Sequence, residues 1–416
     1  VKRAVVLSGG GSKGAYQIGV WKALKKMHIS FDIVTGTSIG SINGLMMVQK
    51  EYFKAAHLWR NIGFDDLFEI KFKKDENIIE VYKNFAIAFL KKGGMETSKI
   101  YNFLSKSFNE KKFYDSKIDY GIITFNLSSM KPKIIKKSEK PDNLLKYVLA
   151  SSTCFPAFQI TKINETQYID GGYYDNVPIN TAISLGAEEI IAIDLDSIGI
   201  KRKLVDKTVK IIYITPRNDL GSFLIFDKTL SRRAMKYGYN DSMKTYNQLD
   251  GDCYTFKKGH IFENYNKINV KFINCLKSVL STNQSDILYK KVLPKNNLFN
   301  LSNTTDFNVL NTNILKALEY AGKLLEIDDS QIYSINYYNE MLKKEVLKHE
   351  SFSKNFIKKI IVTKKINRIV NRRAIMIYFY KELQNFDLNR IEILTISNIY
   401  QLEFLAAVYI KAIGNQ

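Results

Sequence analysis

The chain begins with a short apolar segment that runs directly into a glycine-rich loop, and this junction restricts the possible folds more than any other feature. RAVVLS precedes GGGSKG, and the following AYQIGVWKALKKM places Ile18, Trp21 and Leu24 on one helical face. FDIVTG is then typical of a second buried strand. A strand, a helix and a strand within residues 4–35 predict a right-handed βαβ unit, whose strands end at one edge of a parallel sheet.

The rest of the chain predicts more units of the same kind, followed by a helical region. YGIITFNL, PKIIKKS, TQYIDGG, EEIIAIDL and VKIIYITP are typical of strands, and DNLLKYVLASS and the segment from about 228 to 248 of helices. Residues 41–115 predict several further helices, IIEVYKNFAIAFLKK among them. We therefore expect a three-layer α/β/α core with a mostly parallel sheet over residues 1–255.

The region after this core changes in composition. Residues 281–313 are dense in Asn, Ser, Thr and Lys, which is typical of loose loops. The sequence therefore predicts a linker or irregular region over 256–312 and a mainly helical C-terminal domain over 313–416.

Two nucleotide-binding interpretations of the glycine loop fit poorly. Residues 9–14 match GxGxxG, but a dinucleotide site also needs an acidic residue at the end of the second strand, which here ends in GTS. A phosphate-binding P-loop needs a lysine after its last glycine, whereas Lys13 precedes Gly14. Glycine costs conformational entropy on folding, so the loop still requires the close approach of another group.

The end of the second strand supplies a third interpretation. Gly36, Ser38 and Gly40 form GxSxG between a predicted strand and a predicted helix, the pattern of a nucleophile elbow. Alone this pattern is common and usually marks a tight turn, but beside a glycine loop on a βαβ unit it is much more specific. Backbone amides of the loop would then stabilise an oxyanion, with losses of about 3 to 4 kcal/mol per missing donor. Lys13 either orients this loop or is a solvated surface lysine.

A serine hydroxyl needs a base, and the sequence offers few. The histidines are His28, His57, His260 and His349, and none has a setting that singles it out. Asp170 is the better candidate, because it ends a predicted strand and is followed by Gly171 and Gly172, which leave its carboxylate room to approach Ser38. The alternative is a plain Asp-Gly turn.

GGGSKG, GTSIGS and DGG, in this order, resemble the patatin-like phospholipase family over roughly residues 1–250. ASSTCFPAF and NDLGSFLIFDKTLSRRAMKYGYND resemble its bacterial members. The resemblance implies a Ser-Asp dyad in which Ser38 attacks an acyl carbonyl and Asp170 accepts the proton. The implied oxyanion donors are the amides of Gly9, Gly10, Gly11, Ser12, Lys13, Gly14 and Ile39. It also implies phospholipids or other acyl-ester lipids as substrates, without a metal or another cofactor.

Two other functions stay open at this point. A triad of Ser38, Asp170 and His260 has the chain order of α/β-hydrolases, although those folds place the elbow after several strands. A catalytically inactive lipid-binding module is the other alternative, whereas no motif predicts nucleic-acid binding. Because a carboxylate with a pKa near 4 is a weak base, a dyad should favour esters over peptides.

Charge and cysteine content bear on partners and location. The formal net charge is +21, and residues 354–373 carry eight basic residues and no acid. This segment could bind an anionic membrane peripherally, or its apolar positions could pack inside the C-terminal domain. Cys154, Cys253 and Cys275 lack the spacing of metal ligands, and their odd number fits a reducing compartment. We expect a cytoplasmic protein that contacts the membrane surface.

Overall fold

The computed structural model describes residues 1–67, 80, 83, 86, 87, 90, 93–280, 297–362, 371–385 and 390–414. The helix predicted for IIEVYKNFAIAFLKK, residues 78–92, lies mostly outside these ranges. The chain divides into two compact units, Val1–Thr245 and Tyr246–Gln416.

The first unit alternates strands and helices, as the sequence predicts. Its strands are β1 (Arg3–Leu7), β2 (Ile33–Thr37), β3 (Asp119–Asn126), β4 (Lys131–Lys136), β5 (Thr161–Ile163), β6 (Thr166–Asp170), β7 (Glu189–Ile193) and β8 (Lys210–Ile214). Its helices are α1 (Ala15–Lys26), α2 (Ile39–Val48), α3 (Tyr52–Asn61), α4 (Phe64–Leu67), α5 (Ser98–Ser107), α6 (Glu110–Asp115), α7 (Leu144–Ser151), α8 (Ile179–Ser184) and α9 (Lys228–Thr245). Short 3-10 turns cover Gly11–Gly14, Lys137–Glu139 and Gly171–Tyr173.

The strands form one sheet in the order β5-β6-β3-β2-β1-β7-β8, with β4 also paired to β3. The four pairings between β3, β2, β1, β7 and β8 are parallel, with Leu7 opposite both Gly36 and Ile193. The pairs that join β4, β5 and β6 are antiparallel. The expected mostly parallel sheet is confirmed, and its parallel centre carries β1 and β2, which lead into the two glycine-containing turns.

Helices cover both faces of this sheet. Alternate residues of β1, Ala4 and Val6, pack with Ile179 and Ala182 of α8 on one face. On the opposite face, Gly44 of α2 lies directly over β2 and β3, because a Cβ there would be 3.0 Å from side chains of both strands. Strands buried on both faces are mostly apolar, as β1 is from Ala4 to Leu7. The predicted three-layer arrangement is therefore confirmed.

The second unit is mainly helical. Its helices are α10 (His260–Leu280), α11 (Asn297–Ser302), α12 (Phe307–Leu324), α13 (Ile335–Val346), α14 (Lys354–Val362), α15 (Arg372–Gln384), α16 (Arg390–Ser397) and α17 (Gln401–Gly414). Three short strands, β9 (Leu249–Asp250), β10 (Thr255–Lys257) and β11 (Ile332–Tyr333), form a separate small sheet.

The structure corrects the predicted linker over 256–312. The second unit begins before residue 256, at Tyr246, and α10, α11 and the first residues of α12 fall inside the supposed linker. Polar residues do dominate there, but Phe272 and Leu310 are buried in the core of the unit. Asp306 caps α12, because its side chain accepts a hydrogen bond from the Asn308 amide.

The basic segment 354–373 is only partly described, and Ile366, Ile369 and Val370 lie outside the described residues. Ile357 of α14 is buried in the core of the unit. Several of the basic residues contact acids: Lys354 pairs with Glu382, Arg372 with Glu403 and Arg373 with Glu326. These contacts favour the interpretation that the apolar face of this segment packs inside the unit. None of the described helices combines the length and apolar composition that a bilayer crossing requires.

Candidate active site

Ser38 occupies a sharp turn between β2 and α2, at the N-cap of the helix. Its backbone has φ 55° and ψ −129°, a strained conformation for a residue with a side chain. Gly36 and Gly40 make the turn possible, since a Cβ at Gly36 would overlap the Gly40 carbonyl and one at Gly40 would overlap the Leu7 carbonyl. This is the geometry of a nucleophile elbow, with the serine side chain at the start of a helix.

Other hydroxyls fix the backbone of this turn. The Ser38 amide donates to Ser151 Oγ at 3.1 Å, and Ser151 Oγ donates in turn to the Ile123 carbonyl of β3 at 2.6 Å. The Ser38 carbonyl accepts from Ser41 Oγ at 2.6 Å and from Ser152 Oγ at 3.2 Å. In the sequence, Ser151 and Ser152 stand out only as the end of the predicted helix DNLLKYVLASS and the start of ASSTCFPAF, and these contacts give them a structural role.

Asp170 lies at the end of β6 and is 4% exposed. Strand β6 is antiparallel to β3, with Asp170 opposite Thr124. Because β3 lies between β6 and β2 in the sheet, Asp170 approaches the elbow from the far side of β3. Ser38 and Asp170 line the same cavity, and the Ser38 hydroxyl is near enough to lower the pKa of the Asp170 carboxyl. The Gly172 amide donates to Asp170 Oδ1 at 2.8 Å. The structure therefore brings together the two side chains that the sequence singled out.

Burial sets the proton affinity of this carboxylate. Desolvation raises the pKa of Asp170 to about 7, although the hydrogen bond from the Gly172 amide and the nearby Ser38 hydroxyl act in the opposite direction. The sequence alone predicts an ordinary pKa near 4 and therefore a weak base. The structure corrects that assumption, because a buried Asp170 binds a proton near neutral pH.

Gly171 and Gly172 let the chain turn directly behind Asp170. A Cβ at Gly171 would overlap the Ile123 carbonyl, and one at Gly172 would lie 3.2 Å from Asp170 Oδ1. The expectation that these glycines leave room around the carboxylate agrees with this packing.

The glycine loop lies against the elbow. A Cβ at Gly9 would be 3.0 Å from Ser38 Cβ and would overlap Asn176 Oδ1. At Gly11, where φ is 54°, a Cβ would overlap the Phe223 carbonyl. The groups that approach the backbone of the glycine loop closely therefore belong to the elbow and to the two neighbouring loops that carry Asn176 and Phe223.

The amides of the loop are not equally available. Gly9 donates to Asn176 O at 3.1 Å, Ser12 to Phe223 O at 2.8 Å and Lys13 to Gly10 O at 3.1 Å. Across the described residues, no protein acceptor is found for the amides of Gly10, Gly11 and Ile39, and these three residues line the same cavity as Ser38. Gly14, the remaining predicted donor, does not line the cavity. The candidate oxyanion donors are therefore reduced to the amides of Gly10, Gly11 and Ile39.

Ser38 and Asp170 open onto a cavity of about 470 Å³. Its walls are mainly apolar and come from α2, α3, α5 and the segment 223–226; they include Ile42, Met46, Leu58, Trp59, Ile100, Phe103 and Phe226. Cavities of this size and character suit an apolar ligand that meets a few polar groups at one end.

A buried polar network joins the glycine loop to the cavity wall. Gln17 Nε2 donates to the Ser8 carbonyl at 2.8 Å. Asn43 Nδ2 donates to the Gly14 carbonyl at 3.0 Å and to Gln17 Oε1 at 2.8 Å. Trp59 Nε1 donates to Asn43 Oδ1 at 2.9 Å. Sequence reasoning missed this network, because its members are single polar residues on three different elements.

His28 and His57 are exposed, and His260 lies in the second unit, where its Nδ1 accepts a hydrogen bond from the Ile335 amide at 3.2 Å. Among the described residues that line the cavity there is no histidine. This arrangement gives no support to a triad that includes His260.

One group of side chains in the second unit has the composition of a metal site. Ligand atoms of Asp252, Cys253 and Glu319 lie within 4.8 Å of one another. Glu319 already accepts hydrogen bonds from the amides of Asp252, Cys253 and Tyr254, at 2.7, 3.1 and 3.3 Å. Its carboxylate therefore has a structural role in closing this turn.

Comparison with known proteins identifies relatives for the first unit. Residues 5–183 match the family model described as patatin-like phospholipase. Patatin-like phospholipase domain-containing protein 7 of Rattus norvegicus is 28% identical over 198 residues, which cover 47% of this chain and 14% of that protein. Lysophospholipase nte1 of Aspergillus terreus is 29% identical over 196 residues, which cover 47% of this chain and 12% of that protein. The match thus spans less than a sixth of either relative.

Among solved structures, VipD from Legionella pneumophila aligns with a TM-score of 0.36 at 14% identity, over 99% of this chain and 90% of that one. The two curated relatives are eukaryotic, and the resemblance to bacterial members stays a prediction.

Proposed function

We propose that the chain is a serine acyl hydrolase that cleaves fatty-acyl esters of phospholipids or related lipids, because residues 5–183 match the patatin-like phospholipase family model. The observation that carries the proposal is that Ser38, on its strained turn, and the buried Asp170 line the same apolar cavity.

In the proposed reaction, Ser38 and Asp170 act as a dyad. Ser38 Oγ attacks the acyl carbonyl while its proton passes to the Asp170 carboxylate, and the amides of Gly10, Gly11 and Ile39 donate to the oxyanion. Collapse of the tetrahedral intermediate expels the alcohol, which takes the proton from Asp170. Water then attacks the acyl-serine and gives its proton to Asp170, and the fatty acid leaves with Ser38 protonated again.

Several features of the unit support this mechanism. A base whose pKa is about 7 accepts a proton from serine more readily than an ordinary aspartate does. The positive end of the α2 dipole lies at Ile39, where negative charge develops. The apolar wall suits a fatty-acyl group, and we propose that the acyl tail of the substrate lies along Leu58, Trp59 and Phe226.

Release of fatty acid from phosphatidylcholine vesicles tests the function. The full chain should release fatty acid, and Ser38→Ala and Asp170→Asn should each lower the rate by roughly 10³-fold or more. Asp206→Asn is a matched control, because Asp206 lies between β7 and β8 and does not line the cavity, and it should leave the rate unchanged. A chain that binds the vesicles but releases no fatty acid would instead be a lipid-binding module.

The triad remains testable in the same assay. His260→Ala should retain activity, because the His260 ring contacts the Ile335 amide in the second unit. A loss of activity comparable with that of Asp170→Asn, in a variant that stays folded, would favour the triad instead.

We also propose a cytoplasmic location with peripheral contact between residues 354–373 and an anionic membrane. The exposed Lys358 and Lys359 of α14 support this contact. Binding to vesicles that contain phosphatidylserine should then weaken with rising salt and in Lys358→Glu.

A further inference from the structure

The mouth of the cavity carries a segment, Ile198–Lys203, in which every residue is exposed. Ile198 is 91% exposed and Ile200 is 50% exposed, and both line the cavity that contains Ser38. Single exposed aliphatic residues are common on proteins, whereas neighbouring ones at the opening of an apolar cavity mark a surface that meets an apolar partner.

The backbone around Ile198 is held in place. The Asn176 amide donates to the Ile200 carbonyl at 2.6 Å, and the Ile200 amide donates to the Gly172 carbonyl at 3.0 Å. Gly199 packs against Asn176 so closely that a Cβ at Gly199 would be 2.6 Å from Asn176 Cβ. The fold therefore presents Ile198 to solvent from a loop that is hydrogen-bonded to the segment directly after the candidate base, Asp170.

Cations follow directly after the two isoleucines. The Lys201 ammonium pairs with Asp194 at 2.6 Å, and the Arg202 guanidinium lies 4.4 Å from the centre of the Tyr174 ring. Lys203 is exposed, and no described residue forms an ion pair with its ammonium. Aliphatic side chains beside cations fit an anionic bilayer, where the former enter the acyl region and the latter meet lipid phosphates.

We propose that Ile198–Lys203 is a membrane-docking surface whose partner is an anionic phospholipid bilayer. Ile198 and Ile200 enter the boundary between headgroups and acyl chains, and Lys203 lies against the phosphates. The proposal rests on the proposed function in one respect, because an acyl hydrolase whose cavity opens at this surface can take its substrate directly from the bilayer.

Vesicle binding tests this surface without turnover. The full chain carrying Ser38→Ala is the parent, and its sedimentation is measured with phosphatidylcholine vesicles that do or do not contain phosphatidylserine. Adding Ile198→Ser should weaken binding about tenfold, whereas Ile198→Leu should bind like the parent. Adding Lys203→Glu should weaken binding about fivefold or more only where phosphatidylserine is present.

Phe53→Ser is the matched control, since Phe53 of α3 is 81% exposed in the same unit but does not line the cavity. It should bind like the parent. Unchanged binding of a folded Ile198→Ser variant would overturn the proposal. So would a dimer of the parent, seen by size-exclusion chromatography, that Ile198→Ser dissociates, because a second copy would then occupy the surface.

Failure of the proposed function would look different. A wild-type chain that releases no fatty acid, either from vesicles or from a short-chain ester in monomeric solution, would refute the hydrolase. The binding results with the Ser38→Ala parent would still decide whether Ile198–Lys203 docks to the bilayer.

Discussion

At the scale of single residues, the protonation of Asp170 should control the rate. Burial raises its pKa to about 7, and only the ionised form can accept the proton of Ser38. We therefore expect kcat/KM for a soluble ester to rise about tenfold per pH unit below pH 7 and to level off above it. Steady-state rates between pH 5 and 9 check this; a plateau that already extends down to pH 5 would contradict it.

Gly9 offers a steric test of the contact between the glycine loop and the elbow. A Cβ at this position would meet Ser38 Cβ and Asn176 Oδ1, while the Gly9 backbone does not have the positive φ that only glycine adopts readily. Gly9→Ala should therefore lower kcat/KM by roughly 10²-fold through displacement of the nucleophile. Gly63→Ala is the control, since its Cβ would make only ordinary contacts at 3.7 Å. Equal rates for the two variants would contradict this, because they would show that the loop accommodates a Cβ at position 9 without displacing Ser38.

At the scale of elements, the buried hydrogen bonds of Asn43 connect α1, α2 and α3 with the glycine loop. Asn43→Ala would leave the Gly14 carbonyl and the Trp59 indole without their partners in the interior. We expect a loss of about 2 to 4 kcal/mol in the free energy of unfolding. Asn61→Ala, on the exposed part of α3, should cost less than about 0.5 kcal/mol. Urea denaturation of both variants measures the difference.

The elements that could be predicted from the sequence are those whose signals are local. The β1, loop, α1, β2 and elbow succession follows from apolar runs punctuated by glycine, and the close approach of Ser38 and Asp170 follows from two turns at one sheet edge. The antiparallel direction of β6 depends on its pairing with β3, which leaves no local pattern. The hydroxyls of Ser151 and Ser152 likewise act on a residue more than a hundred positions away.

Composition misled the prediction where polar residues cover a buried face. The sequence predicts an irregular region over 256–312 because residues 281–313 are dense in Asn, Ser, Thr and Lys. Helix α10 nevertheless lies inside this range and α12 begins inside it, and both have buried positions at helical spacing. The raised pKa of Asp170 was missed for a related reason. Its cause is desolvation by the whole fold, and a sequence shows a carboxylate without showing its surroundings.

At the scale of the whole molecule, each unit keeps a buried carboxyl group with a high proton affinity. Burial raises the pKa of Asp170 in the first unit and that of Glu319 in the second to about 7, and that of Asp175 to about 6. In the unfolded chain these groups ionise near pH 4. The native state therefore binds more protons than the unfolded state between about pH 4 and pH 7.

This difference in proton binding sets the direction in which stability changes with pH. A carboxyl group whose folded pKa is raised adds stability that is fully present below the unfolded pKa and is lost as pH rises through the folded pKa. The urea concentration at the midpoint of unfolding should thus decrease as the pH rises from 5 to 8. Asp170→Asn should make this decrease smaller, because the amide does not ionise. At pH 8 this variant should be more stable than wild type by roughly 1 to 3 kcal/mol while being inactive, since the charge that the proposed reaction needs is the one that the fold disfavours. Asp206→Asn, on the surface, should keep the wild-type slope, and a steeper fall in Asp170→Asn than in wild type would contradict the assignment of a buried, high-affinity carboxylate beside Ser38.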